Sequence, residues 1–113
     1  MAYRRAWIMQ LQEGCEKEYD QAHAAIWPEL ADQMVDDGIC SFHLFRSGLT
    51  IFAIQKRKSA FPDATTPPSE LSKKWWSRMA KLMMTDEQGQ PIRTDLKEVF
   101  SLELTIANRE DSQ

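Results

Sequence analysis

The chain has 113 residues, of which 42% are hydrophobic and 27% charged, and its formal net charge is −3. This length suits a single domain with a moderate core, and the lack of a basic block argues against nucleic acid as a partner, because phosphate binding needs a positive surface. No apolar run approaches the ~20 residues of a membrane span and no signal-peptide pattern opens the chain, so we expect a cytoplasmic protein without membrane contact.

The order of elements is predicted from hydrophobic periodicity, turn residues and prolines. Four segments have strand character: Arg5–Leu11, Ile39–Arg46, Thr50–Lys56 and Leu96–Leu104. Two segments have helical periodicity: Glu16–Asp36, which ends before Gly38, and Glu70–Met84, which Ser69 caps. Proline lacks an amide hydrogen, so the first helix should bend or restart at Pro28. Two loops, Ser59–Ser69 with three prolines and Asp86–Asp95, complete the pattern.

This order, β-α-β-β-α-β, is the split βαβ arrangement of ferredoxin-like α+β domains, with an antiparallel four-stranded sheet and the helices on one face. We expect it to span residues 1–107 and to be followed by a polar tail, 108–113. Residues on both sides of the strands are apolar, so the face away from the helices needs a cover. A second copy of the chain is the simplest cover, which predicts a homodimer.

The first helix contains the candidate chemistry. Tyr19 and His23 are one turn apart on its apolar stripe, together with aliphatic side chains. A hydrogen-bonded packing pair in the core is an equally good interpretation of these two residues. The other histidine, His43, lies in a strand between apolar neighbours, where a packed or solvated side chain is the better interpretation.

Metal and nucleotide chemistry find no support in the sequence. Nucleotide-binding glycine loops and metalloprotease motifs are absent, and two histidines cannot form a three-histidine metal site. Cys15 and Cys40 lack CxxC spacing, so we expect reduced, structural thiols that form neither a metal site nor a disulfide. The unusual feature is four tryptophans, whose ring faces stack on the C–H faces of sugars and equally on hydrophobic quinone or polyketide substrates.

Three segments together resemble the L-rhamnose mutarotases, also called L-rhamnose 1-epimerases. They are Tyr19-x-x-x-His23-x-x-Ile26-Trp27-Pro28-Glu29-Leu30, then Trp75-Trp76 followed by Met79, and Leu96-x-Glu98-Val99-Phe100. The likeness covers the chain from about Arg4 to Glu103. It implies a dimeric α+β barrel, in which two ferredoxin-like protomers place their sheets face to face. It also implies an enzyme that interconverts the α and β anomers of L-rhamnose without a cofactor.

The resemblance also implies residue roles. His23 matches the family's proton donor, Tyr19 a substrate-binding tyrosine, and Trp75 with Trp76 a pair that lines the sugar pocket. Phe42 stands where the family has a second substrate-binding tyrosine, so we expect weaker discrimination between L-rhamnose and L-fucose. The alternatives are L-fucose as the substrate, a cofactor-free monooxygenase on the same fold, or a binding module without catalysis.

Overall fold

The computed structural model describes residues 3–61 and 67–102. The strands are β1 Tyr3–Gln10, β2 Ile39–Ser47, β3 Thr50–Arg57 and β4 Arg93–Leu96. The helices are α1 Glu16–Ala24, α2 Pro28–Asp36 and α3 Glu70–Ala80. The predicted tail 108–113 and residues 62–66 of the proline-rich loop lie outside the described residues. Within those residues, none of the helices is long and apolar enough to cross a membrane.

The strands form an antiparallel sheet in the order β2-β3-β1-β4, which confirms the ferredoxin-like α+β fold. The predicted position of the last strand, Leu96–Leu104, was wrong, because β4 ends at Leu96. Its register pairs Arg93 with Met9 and Leu96 with Ala6, so β4 lies against the middle of β1. The apolar residues that followed Leu96 suggested a strand, but the segment from Lys97 to Leu102 leaves the sheet instead of pairing with it.

The helices follow the predicted pattern with one correction. Helix α1 ends at Ala24, and α2 begins with Pro28 as its first residue. This is the break that the missing amide hydrogen of proline predicts. Helix α3 begins at the predicted cap, where the Ser69 hydroxyl accepts a hydrogen bond from the Ser72 amide at 3.0 Å. It ends at Ala80 rather than Met84, because the chain turns to pair with the end of β1.

This pairing also anchors β1 to the end of α3. The Gln12 amide donates to the Leu82 carbonyl at 2.8 Å, and the Met84 amide donates to the Gln10 carbonyl at 2.8 Å. Helical periodicity continues through Leu82 and Met83, so no local pattern in the sequence marks the end of the helix. Both residues are buried in the core, although they lie outside the helix.

The core lies between the sheet and the helices. Its buried members are Leu11, Tyr19, Ala22, Leu30, Ile51, Trp75, Met79, Leu82 and Met83. Paired residues point to the same side of an antiparallel sheet, so the register assigns Met9, Ile51 and Arg46 to the helix side. Tyr19 lies on the same side of the sheet, where α1 packs on one end of β2 and β3.

The opposite face of the sheet is apolar and open. Phe45, Phe52 and Ile54 point away from the helices, and 58%, 37% and 42% of their surfaces are exposed. Val99 and Phe100, beyond β4, are 87% and 70% exposed. Surfaces of this kind are uncommon on monomers and are typical of contacts between proteins.

Candidate active site

A cavity of about 170 Å³ lies between α1 and the end of the β2–β3 hairpin. Its lining residues are Tyr19, Asp20, His23, Leu44, Phe45, Arg46 and Ile51. Pockets for drug-sized ligands measure about 300–1,000 Å³, so this cavity suits a smaller molecule. The wall formed by α1 is polar and the floor formed by the strands is mostly apolar, which fits a compact ligand with one hydrophobic face.

His23 is held in one orientation by its own helix. Its Nδ1 lies 2.9 Å from the carbonyl oxygen of Tyr19. A carbonyl can only accept, so Nδ1 carries the hydrogen and Nε2 of the neutral ring keeps a free lone pair. Burial lowers the pKa of His23, the hydrogen bond to Tyr19 opposes this shift, and the charge of Arg78 adds to the lowering. The neutral imidazole is therefore favoured, with Nε2 as the atom able to exchange a proton.

Tyr19 is a phenol in the core rather than a base. Its side chain is 4% exposed, and burial, together with the nearby charge of Asp20, raises its pKa to about 12. The hydroxyl consequently stays protonated near neutral pH and can donate a hydrogen bond. Its ring lies 4.3 Å from the His23 ring between centroids, tilted by 40°. The predicted pair is thus in contact, and the carbonyl of Tyr19, not its phenol, orients His23.

The two adjacent tryptophans occupy different environments. Trp75 is 6% exposed and meets His23 edge-on, with 5.3 Å between ring centroids. It also meets Trp27 edge-on at 5.0 Å, and the guanidinium of Arg78 lies 5.7 Å from its ring. Trp76 points away and is 51% exposed. Trp75 therefore packs behind the catalytic candidate, and neither Trp75 nor Trp76 is among the residues that line the cavity.

Phe42 is also outside that lining. It pairs with Gln55 in the sheet, and its ring meets Trp7 edge-on at 5.8 Å. Leu44 lies between Phe42 and the cavity along β2, on the same face of the sheet. A role for Phe42 in sugar recognition remains a prediction from the resemblance.

An ion pair at the rim of the cavity was not predicted from the sequence. Arg46 Nε donates to Asp20 Oδ1 at 2.8 Å, and Arg46 Nη2 donates to Asp20 Oδ2 at 2.6 Å. These residues are 26 positions apart, so only the packing of α1 on β2 brings them together. One signal was present in the sequence: Asp20 and His23 are three residues apart, which puts them on the same face of a helix.

No group of metal ligands accompanies the site. In residues 3–61 and 67–102, no three histidine, cysteine or carboxylate side chains cluster closely enough to hold a metal ion. Cys15 and Cys40 are free thiols. The groups that line the cavity and can carry out chemistry are thus the imidazole, the phenol and the Asp20–Arg46 pair.

The fold is that of a small α+β protein, and the cavity between α1 and the sheet is a candidate acid–base site. The model of the L-rhamnose mutarotase family matches residues 4–102. An L-rhamnose mutarotase of Flavobacterium johnsoniae is 36% identical over 90% of this chain and 97% of its own. One from Rhizobium johnstonii is 38% identical over 88% of this chain and 95% of its own.

A solved structure agrees with these relatives. The crystal structure of an L-rhamnose mutarotase from Formosa agariphila superposes with a TM-score of 0.75 and is 31% identical, covering 88% of this chain and 98% of that one. The chain belongs to the L-rhamnose mutarotase family. The resemblance read from the sequence is confirmed, and the chain is an enzyme of the isomerase class that epimerises the anomeric carbon of a sugar.

Proposed function

We propose that the protein interconverts the α and β anomers of L-rhamnose by opening and reclosing the pyranose ring. The observation that carries this proposal is the position of His23, whose Nδ1 is engaged by the Tyr19 carbonyl and whose Nε2 is left for the sugar. Family membership supplies the substrate, since the relatives are named for it.

The chemistry needs one proton delivered and one removed. The lowered pKa makes protonated His23 the minority form at neutral pH but a stronger acid. In the opening step this form gives the Nε2 proton to the ring oxygen, the bond from that oxygen to C1 breaks, and the anomeric hydroxyl loses its proton to water. Rotation about C1–C2 turns the other face of the aldehyde toward the ring oxygen. Reclosure returns the proton to His23, so the protein is unchanged after each cycle. A histidine suits this work because its ordinary pKa lies close to neutral pH.

Tyr19 and Trp75 have supporting roles in this proposal. The phenol of Tyr19 has a raised pKa and stays a donor, which suits a hydrogen bond to a sugar oxygen. Trp75 stabilises the orientation of the imidazole by packing against its edge. Phe42, Trp75 and Trp76 lie outside the cavity lining, and we propose them as substrate contacts on the strength of the resemblance alone.

We further propose that the protein acts as a homodimer in the cytoplasm. The exposed apolar sheet face and the apolar segment after β4 support a second copy as their cover, since two such faces can bury one another. The free thiols fit a reducing compartment. Sedimentation of the purified protein at several concentrations tests the dimer, and a monomer at all of them would contradict it.

Saturation-transfer NMR tests the proposed reaction. Irradiation of the α-anomer H1 resonance of L-rhamnose should reduce the β-anomer signal when the protein is present, and this transfer should scale with protein concentration. Running L-fucose in parallel separates the two candidate sugars. Tight sugar binding without faster exchange would instead indicate a binding module, and oxygen uptake with an anthrone-like substrate would indicate the monooxygenase.

A further inference from the structure

Asp20 and Arg46, both partly exposed, form a polar wall at the rim of the cavity that His23 lines. Two hydrogen bonds of 2.8 and 2.6 Å join the guanidinium to the carboxylate, and Arg46 Nη1 donates a third to the Gly48 carbonyl at 2.9 Å. These contacts tie the guanidinium to α1 and to the hairpin turn at once. Both side chains line the cavity, so a ligand beside His23 also meets this pair.

The pair retains free donors and acceptors after these contacts. A guanidinium carries five N–H groups, and three of them are used, which leaves one on Nη1 and one on Nη2. Each carboxylate oxygen has about two lone-pair sites and accepts one N–H, so each can accept again. A sugar hydroxyl both donates and accepts, and two neighbouring hydroxyls would satisfy this set of groups.

The charge state of the Asp20–Arg46 pair favours binding a sugar hydroxyl over removing its proton. The hydrogen bonds from Arg46 lower the pKa of Asp20, so the carboxylate is ionised and is a weak proton acceptor near neutral pH. The two charges cancel within the pair, which leaves no net charge to attract an anion. The wall is thus suited to a neutral, hydroxyl-bearing ligand.

The spacing along α1 indicates which hydroxyls face the pair. Asp20 and His23 are three residues apart, so their Cβ atoms are separated by about 5–6 Å along the helix surface. That separation is comparable to the width of a pyranose ring. With His23 at the ring oxygen and C1, the groups on the far side of the ring are the hydroxyls of C3 and C4.

We propose that Asp20 and Arg46 are specificity-determining residues that bind the C3 and C4 hydroxyls of the sugar. This inference rests on the proposed function, because His23 sets where C1 lies. L-rhamnose and L-fucose differ in orientation at C2 and C4, so the pair reads one of the two positions that distinguish them. In L-rhamnose the C3 and C4 hydroxyls are both equatorial, so their two oxygens can face the pair together. In L-fucose the C4 hydroxyl is axial and points away from it.

The test compares L-rhamnose with 6-deoxy-L-talose, which differs from it only at C4. Anomer exchange should favour L-rhamnose in the parent protein. Asp20→Asn keeps the shape but replaces one acceptor with a donor, so we expect the L-rhamnose KM to rise about 5- to 10-fold with kcat nearly unchanged. The preference over 6-deoxy-L-talose should fall by the same factor. Glu70→Gln, which removes the exposed Lys73–Glu70 pair of α3, is the matched control and should leave KM unchanged.

A double variant with the two charges exchanged distinguishes a role of the pair in binding the sugar from a role in stabilising the fold. Asp20→Arg combined with Arg46→Asp can rebuild an ion pair between α1 and β2, so it should recover the melting temperature but not the KM. Recovery of both would mean that the pair only joins the two elements, and the proposal would be overturned. A fall in kcat with loss of one limb of the pH–rate profile in Asp20→Asn would make Asp20 the base, which also overturns it.

Failure of the proposed reaction would be visible separately. 1,5-Anhydro-L-rhamnitol keeps the C3 and C4 hydroxyls but has no anomeric hydroxyl, and calorimetric titration measures its binding without catalysis. If the parent accelerates no exchange but Asp20→Asn still weakens this binding about 5- to 10-fold, the pair binds hydroxyls and the reaction is wrong. Equal binding by the parent and Asp20→Asn refutes the role of the pair whatever the exchange rate.

Discussion

The adjacent residues Trp75 and Trp76 offer a matched pair of substitutions to alanine. Trp75 is 6% exposed and contacts the rings of His23 and Trp27, whereas Trp76 is 51% exposed. Removing a large aromatic from a core costs about 3–5 kcal/mol, because the transfer free energy is lost and a cavity is left. A surface substitution changes stability by less than about 1 kcal/mol.

We therefore expect Trp75→Ala to lower the free energy of unfolding by about 3–5 kcal/mol and Trp76→Ala to lower it by less than about 1 kcal/mol. At about 4 °C per kcal/mol, the melting temperature of Trp75→Ala should fall by roughly 12–20 °C. Urea unfolding followed by far-UV circular dichroism is the suitable assay, since each variant loses a fluorophore. Equal losses in the two variants would refute the assignment of Trp75 to the core and of Trp76 to the surface.

Three further results are expected from the same assays. Ile51 is fully buried under the cavity, so Ile51→Ala should destabilise the fold by about 2–5 kcal/mol in urea unfolding. Ser69→Ala removes the cap on the Ser72 amide and should cost about 0.5–2 kcal/mol by the same measurement, and an unchanged midpoint would show that the cap contributes nothing. Burial lowers the pKa of His23 below 6.5, so as pH falls the unfolded chain binds this proton before the folded chain does. The contribution of the neutral ring to the free energy of unfolding should be complete above about pH 6.5 and should be lost as pH falls from 6.5 through the lowered pKa of the folded state. Urea unfolding at several pH values measures this loss, and His23→Gln should not show it.

Features with a local chemical cause were predictable from the sequence. The missing amide hydrogen of Pro28 divides the first helix where expected, and Ser69 caps α3. The hairpin also follows its turn residues, with Gly48 at a φ of +59°. Each of these depends on a few neighbouring residues, so a short stretch of sequence contains the necessary information.

Features set by distant partners were not predictable. The position of β4 depends on its register with β1, and the end of α3 depends on hydrogen bonds from Gln12 and to Gln10. The hydrophobic pattern continues through both boundaries, so it places the strand and the helix end incorrectly. The candidate site divides in the same way. Tyr19 and His23 share a helix and were found from their spacing, whereas Arg46 joins the site only through the packed fold.

The most direct test of the proposed mechanism uses the chain's two histidines as a matched pair. His23 lines the cavity, whereas His43 is exposed and stacks with Phe45, two residues further along the same strand β2, at 6.4 Å between ring centroids. Anomer exchange of L-rhamnose is measured by saturation transfer for the parent, His23→Gln and His43→Gln. A positioned acid–base residue contributes about 10²–10⁴-fold, so His23→Gln should lose at least about 100-fold in rate and His43→Gln should keep the parent rate. Exchange at the parent rate in folded His23→Gln would contradict the assignment of the proton transfer to His23.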